Sequence, residues 1–158
     1  MAEKIYSTSL TETYGDDAEG LGAIRFEGAR IYKWVMLNMP EGSSSVGRIV
    51  WYTVDPADQL TPSSLHVSGF HIDVLNEVIA GIVVPATVAD TAYFWVQIGG
   101  ISESSFALDG PPSDGDMLTS AYTISTFPRF EVMSDTSKQC AAIAIDASAK
   151  KVLLTCPF

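Results

Sequence analysis

Residues 92–98 read Ala-Tyr-Phe-Trp-Val-Gln-Ile, a run of aromatic and β-branched side chains. Such residues suit a pleated surface packed on at least one side. Side chains alternate across a strand, so Tyr93, Trp95 and Gln97 share one face and Phe94, Val96 and Ile98 the other. Both faces are largely apolar. The stretch is therefore expected to be covered on both, by its own fold or by a neighbouring subunit. Residues 31–37, Ile-Tyr-Lys-Trp-Val-Met-Leu, repeat the theme. Tyr32 to Leu37 and Tyr93 to Ile98 both read Tyr, any, Trp, Val, any, aliphatic.

Working outward, the same period-two alternation recurs at 49–54, 78–84, 140–146 and 150–156. Turn signals separate these segments: Pro40-Glu41-Gly42, Asp55-Pro56, Thr61-Pro62, Gly99-Gly100 and Asp109-Gly110-Pro111-Pro112. Short strands between turns predict an all-β fold, a small β-barrel or β-sandwich. A short helix or a turn is expected at Asp73 to Val78, with Asp73 as the candidate cap of a helix. The echo between the two Trp-bearing strands predicts either two related lobes, about 20–75 and 76–158, or two aromatic strands of like composition.

Residues 1–19 differ from the β domain at 20–158. Their apolar content is slight, and Glu12, Asp16, Asp17 and Glu19 are acidic. Such a segment does not bury enough surface to fold alone. It is expected to be an extended arm, ordered when docked, with Tyr6, Leu10 and Tyr14 as its contact residues. Its removal is expected to leave the β domain folded.

The chain has 158 residues, enough for one ordinary domain. Only 18% are charged, below the roughly 25% usual in soluble domains, which favours surface buried against a partner or a second copy. A normal β domain solvated by Ser and Thr has the same composition. The net charge of −10 and the absence of a Lys/Arg cluster argue against nucleic acid and anionic membrane as partners. No apolar run approaches the ~20 residues of a spanning helix. Met1-Ala2-Glu3-Lys4 lacks the apolar core of a signal peptide, so synthesis in the cytoplasm is expected. Cys140 and Cys156 fit a reducing compartment. They lie in separate strand-like segments that can neighbour each other in a sheet, and are expected as free, buried thiols.

Catalytic and metal motifs are missing. His66 and His71 are five apart, which suits neither a helical nor a one-faced strand pair of ligands. Asp109, Asp114 and Asp116 share a loop, but two prolines stiffen it and the calcium-loop spacing is wanting. No Gly-x-Ser-x-Gly and no phosphate-cradling glycine pattern occurs. No cofactor, metal or catalytic residue is expected. Trp34, Trp51 and Trp95 are core residues or anchors of a subunit interface.

The order of segments in the second half carries a resemblance. It runs Ala80-Gly81-Ile82-Val83, then Tyr93-Phe94-Trp95-Val96-Gln97, then Gly115-Asp116-Met117-Leu118, then Ala141-Ala142-Ile143-Ala144, then Val152-Leu153-Leu154. This resembles the small β domain of tailed-phage capsid decoration (cement) and head-fibre proteins. The start, Gly20-Leu21-Gly22-Ala23 followed by Tyr32-Lys33-Trp34-Val35, is similar as well. The resemblance covers most of residues 20–158. Residues 55–75 and 109–114 have no counterpart in it. It implies a structural protein on the outside of a virion, bound to the major capsid protein, as a homotrimer or a dimer. The alternatives are another phage module (head fibre, tail or baseplate) and a carbohydrate-binding β-sandwich, which would need an exposed Trp.

Overall fold

The computed structural model describes residues 5–38, 43–52, 66–68, 79–103, 108–109, 112–123, 126–134 and 140–156. The expected helix or turn at 73–78 lies outside them. Among the described residues there are thirteen strands and no helix. They are β1 (Ile24–Glu27), β2 (Arg30–Leu37), β3 (Ser43–Ser45), β4 (Ile49–Tyr52), β5 (His66–Ser68), β6 (Ile79–Val83) and β7 (Thr87–Ala89). The second half adds β8 (Tyr93–Ser102), β9 (Leu108–Asp109), β10 (Met117–Thr123), β11 (Thr126–Val132), β12 (Ala142–Asp146) and β13 (Lys151–Thr155). The all-β expectation holds.

Eleven strands form one sheet in the order β1-β2-β5-β4-β6-β8-β13-β12-β10-β11-β9, and β3 pairs with β7 apart from it. Most pairs are antiparallel; β2–β5 and β9–β11 are parallel. The sheet as a whole is not a closed barrel, since β1 and β9 stand at its two ends. A further pairing of β2 with β8 makes the strands β2, β5, β4, β6 and β8 return on themselves.

The hub is β8. Its first half pairs with β2 along one edge, Trp34 opposite Trp95 and Val35 opposite Phe94. Along the other edge it pairs first with β6, at Val96 and Gln97, and then with β13, from Gly99 to Ser102. Gly99-Gly100, expected as a turn, therefore lies inside a strand. The physical reason is close approach. Gly100 has a φ of +81°, and a Cβ there would sit 2.1 Å from the Ala29 carbonyl oxygen. Only glycine lets β8 pass the β1–β2 turn that tightly.

The two faces of β2 and β8 divide as the alternation predicts. Val35, Leu37, Phe94, Val96 and Ile98 enter the main core with Ile49, Val50, Ile82, Leu118, Phe130, Ala142, Val152 and Leu154. That core draws on both halves of the chain, and the two echoing strands pair side by side in it. On the other side, Tyr32, Trp34 and Trp95 form a second cluster, both tryptophans fully buried. Their indoles meet at 5.1 Å, tilted 61°, with Tyr93 6.3 Å from Trp34.

What covers this aromatic shelf is the N-terminal segment. Tyr6 stands edge-on to Trp95 at 5.3 Å, and Tyr14 leans on Trp34 at 5.7 Å. Leu10 and Leu21 also pack on the cluster. A reciprocal pair of backbone hydrogen bonds joins Tyr14 to Tyr93, at 2.9 and 2.8 Å. Tyr6 Oη donates to the Ile24 carbonyl. The arm expected to wait for a partner is docked on its own β domain.

Buried indole N–H groups need acceptors, and the same segment supplies both. Trp34 Nε1 donates to Asp17 Oδ1 at 2.8 Å, and Trp95 Nε1 to Thr8 Oγ1 at 2.9 Å. Thr8 in turn donates from Oγ1 and its backbone N–H to Glu19 Oε1, both at 2.9 Å; Ser7 adds two more bonds there. Two acids of the segment, Asp17 and Glu19, are thus acceptors within the cover. Burial tends to raise the Glu19 carboxyl, but the hydrogen bonds from Thr8 and Ser7 outweigh it and hold the group below its usual 4.5.

Two outcomes follow from this packing. Deleting residues 1–19 uncovers two indoles and removes Tyr6, Leu10 and Tyr14, so stability falls by about 3 kcal/mol or more. Urea titration with a red shift of tryptophan emission is the check; an unchanged midpoint would mean the cover is dispensable. Because Glu19 is lowered in the folded state, its contribution is present above pH 4.5 and is lost as pH falls through the lowered value. Glu19→Gln is expected to flatten this acid limb in melts run from pH 6 to pH 3.

Candidate functional site

The residues singled out for contact lie inside the protein. Trp34 and Trp95 have no exposed surface and Trp51 keeps 4%. None presents a face to a sugar or to another subunit. Tyr6, Leu10 and Tyr14 are partly buried against the shelf rather than displayed. His66 lies on β5, and His71 lies outside the described residues. Asp114 Oδ1 accepts from Ala147 N–H at 2.9 Å and Asp116 Oδ2 from Ser113 N–H at 2.7 Å. Asp116 closes the turn into β10, where Gly115 takes a φ of +93°, and Asp114 ties that turn to the one between β12 and β13. Glycine permits the sharp entry into the strand, and the Asp116 carboxylate caps it. Among the described residues, no three His, Cys, Asp or Glu side chains converge.

One titratable group sits at the edge of the core. Lys33, only 8% exposed, extends from the core face of β2, and its Nζ donates to Tyr52 Oη at 2.8 Å. The ammonium also lies 4.9 Å from the Tyr52 ring centre. Burial lowers Lys33 and raises Tyr52 to about 12, with Cys156 a secondary cause for Tyr52. A tyrosine held neutral beside a lysine is a hydrogen-bonded way to end a core strand.

The surface feature that stands out is on the outer side of the second-half sheet. Register places Ile101 opposite Leu153, Leu153 opposite Ile143, and Ile143 opposite Met117. Met133 N–H donates to the Met117 carbonyl at 2.8 Å, extending the row by one more strand. Opposed residues share a face, so five aliphatic side chains line up across five strands. At the usual strand spacing the row runs about 19 Å. Ile101, Leu153 and Met117 are 41%, 37% and 45% exposed, and Ile143 and Met133 are half-buried. The inward neighbours Ser102, Val152, Leu154, Ala142 and Leu118 are buried. Hence this part of the sheet is apolar on both faces, one in the core and one outward.

At the Ile101 end the row meets a cleft of about 340 Å³ lined by Glu27, Ala29, Arg30, Tyr32, Ile101 and Glu103. Arg30 Nε donates to the Ile101 carbonyl at 3.1 Å, and Lys151 Nζ lies 3.8 Å from Glu103 Oε1. Charges of both signs therefore rim an aliphatic stripe. Sequence alternation alone did not find the stripe, because its members come from five strands whose register only the folded sheet supplies.

The core-edge group has a measurable consequence. Tyr52 is raised from 10 to about 12 in the folded state, and Cys156 from 9 to about 12. Their contribution to stability is complete below pH 9 and is lost as pH rises toward 12. Lys33, lowered, works in the opposite sense below its usual 10.5. Tyr52→Phe is expected to flatten the alkaline loss in urea titrations between pH 9 and pH 11; an identical slope in the variant would show that Tyr52 is not its source. Compared with models of protein families, with curated proteins and with solved structures, the chain gives no match in any of the three.

Proposed function

We propose that the chain is a non-catalytic structural protein of a tailed-phage particle, seated on the outer surface of the mature capsid as a decoration protein. Its partners in this reading are the major capsid protein and further copies of itself, as a trimer or a dimer. The observation that carries the reading is the outward aliphatic row Ile101, Leu153, Ile143, Met117 and Met133. Single exposed aliphatic residues are ordinary on a soluble surface, but a contiguous apolar patch rimmed by polar groups marks an interaction site. The low charge content of 18% and the segment order of the second half support the same reading.

The mechanism is energetic. A protein that binds the expanded lattice better than its precursor stabilises that lattice by mass action. A narrow stripe buries less than the roughly 800 Å² per partner of a standard interface, so a single contact is weak. Many symmetry-related contacts convert weak binding into retention. A firm β scaffold with a two-sided apolar sheet suits that task.

The test is binding to particles. Wild-type chain added to mature capsids lacking their own decoration is expected to bind in hundreds of copies, counted by gel densitometry. Ile101→Asp with Leu153→Asp places two carboxylates in the row and is expected to lower bound copies about tenfold while the melting curve is kept. Binding of a few to tens of copies would favour a tail or fibre part instead. No binding by the wild-type chain would sink the capsid reading.

A further inference from the structure

The two cysteines hold a relation that the strand register defines. In the β12–β13 ladder Ala142 faces Leu154, Ile143 faces Leu153 and Ala144 faces Val152. The ladder continues past its last regular pair, because Thr155 N–H donates to the Ala141 carbonyl at 2.9 Å and Thr155 Oγ1 to the Cys140 carbonyl at 3.2 Å. Carried one step further, this register brings Cys140 opposite Cys156. Cys156 Sγ lies 3.8 Å from the Ala141 carbonyl oxygen, and Cys140 Sγ 3.4 Å from that of Ala142. Both thiols thus contact adjacent carbonyls, Ala141 and Ala142, where the chain enters β12. They are free, Cys156 buried and Cys140 half-buried.

We propose that Cys140 and Cys156 form a reversible cross-strand disulfide that latches the β12–β13 hairpin when a disulfide of the oxidised-glutathione class is present. Directly opposed strand residues without mutual backbone bonds stand about 4.5 Å apart at Cα. That lies within the roughly 4.4–6.8 Å range a disulfide spans. The accessible Cys140 thiolate attacks the small-molecule disulfide, forming a mixed disulfide and releasing one thiol. Cys156, as thiolate, then attacks the Cys140 sulfur, and the second small-molecule thiol leaves. Two protein thiols are oxidised and one external disulfide is reduced to two thiols, so atoms and electrons balance.

The second step sets the pace. Burial pushes the Cys156 thiol up to about 12, with Cys140 adding a smaller push and a local backbone hydrogen bond opposing them. Since only the thiolate attacks, closure quickens about tenfold per pH unit below that value. The latch closes slowly and, once closed, ties together the hairpin that bears Ile143 and Leu153 of the outward row. It stands on register and sulfur placement alone, independent of any capsid role.

The full chain is incubated with oxidised glutathione, and its intact mass and tryptic map are followed without reductant. Cleavage after Lys138, Lys150 and Lys151 puts the two cysteines on separate peptides. The expected product has lost two hydrogens, links the two peptides, and melts higher by on the order of 5 °C. Cys156→Ser is expected to stop at the glutathione adduct of Cys140, and Cys140→Ser to stay unmodified while folded. A wild-type chain that halts at the Cys140 adduct, forms only intermolecular disulfides, or keeps both thiols through prolonged incubation at pH 9 overturns the proposal.

Discussion

Two indoles set directly opposite each other, Trp34 on β2 and Trp95 on β8, are the constraint around which the rest of the protein is arranged. Burying them removes two large apolar surfaces from water, and it also strands two N–H donors away from solvent. The first effect rewards burial and the second penalises it unless acceptors are supplied. The sheet cannot supply them, since its backbone groups are used in the ladder. The N-terminal segment does, through Thr8 and Asp17. Its order is therefore a consequence of the tryptophans, and Glu19 is the outer link that holds Thr8 in place.

The same pair fixes the sheet. With Trp34 opposite Trp95, β2 and β8 present Val35, Leu37, Phe94, Val96 and Ile98 to the main core, and β6 and β13 follow one another along the free edge of β8. The change of neighbour falls at Gly99-Gly100, where a Cβ on Gly100 would collide with the Ala29 backbone. From there β13, β12, β10 and β11 continue outward and carry the aliphatic row on their far side. A protein whose aromatic side is sealed by its own chain has this second-half sheet left as its apolar outer face, and it is there that a capsid partner is proposed to sit.

Several local features were legible from residue order. The alternation at 31–37 and 92–98 marks strands apolar on both faces, and both are covered on both. The strands at 49–52, 79–83, 142–146 and 151–155 fall within the expected segments. Other features were misread for a shared reason. Gly99-Gly100 looks like a turn because glycine pairs commonly are, and residues 1–19 look like an arm awaiting a partner because acidic segments poor in apolar residues commonly are. In each case the partner that changes the meaning lies far away in the chain.

What the sequence by itself determined is chemical and local: an all-β chain, acidic, poor in charge, with strands whose two faces both need cover. Composition settles the charge, and period-two alternation settles the strands, because both are written into the residues without regard to distant partners. What only the tertiary structure decided is who covers what. The echo of Tyr-x-Trp-Val became a pair of neighbouring strands, the arm became a lid over it, and Ile101, Leu153, Ile143, Met117 and Met133 became a row. Each depends on register between distant strands, a property set by packing the whole core at once and not encoded in any one segment.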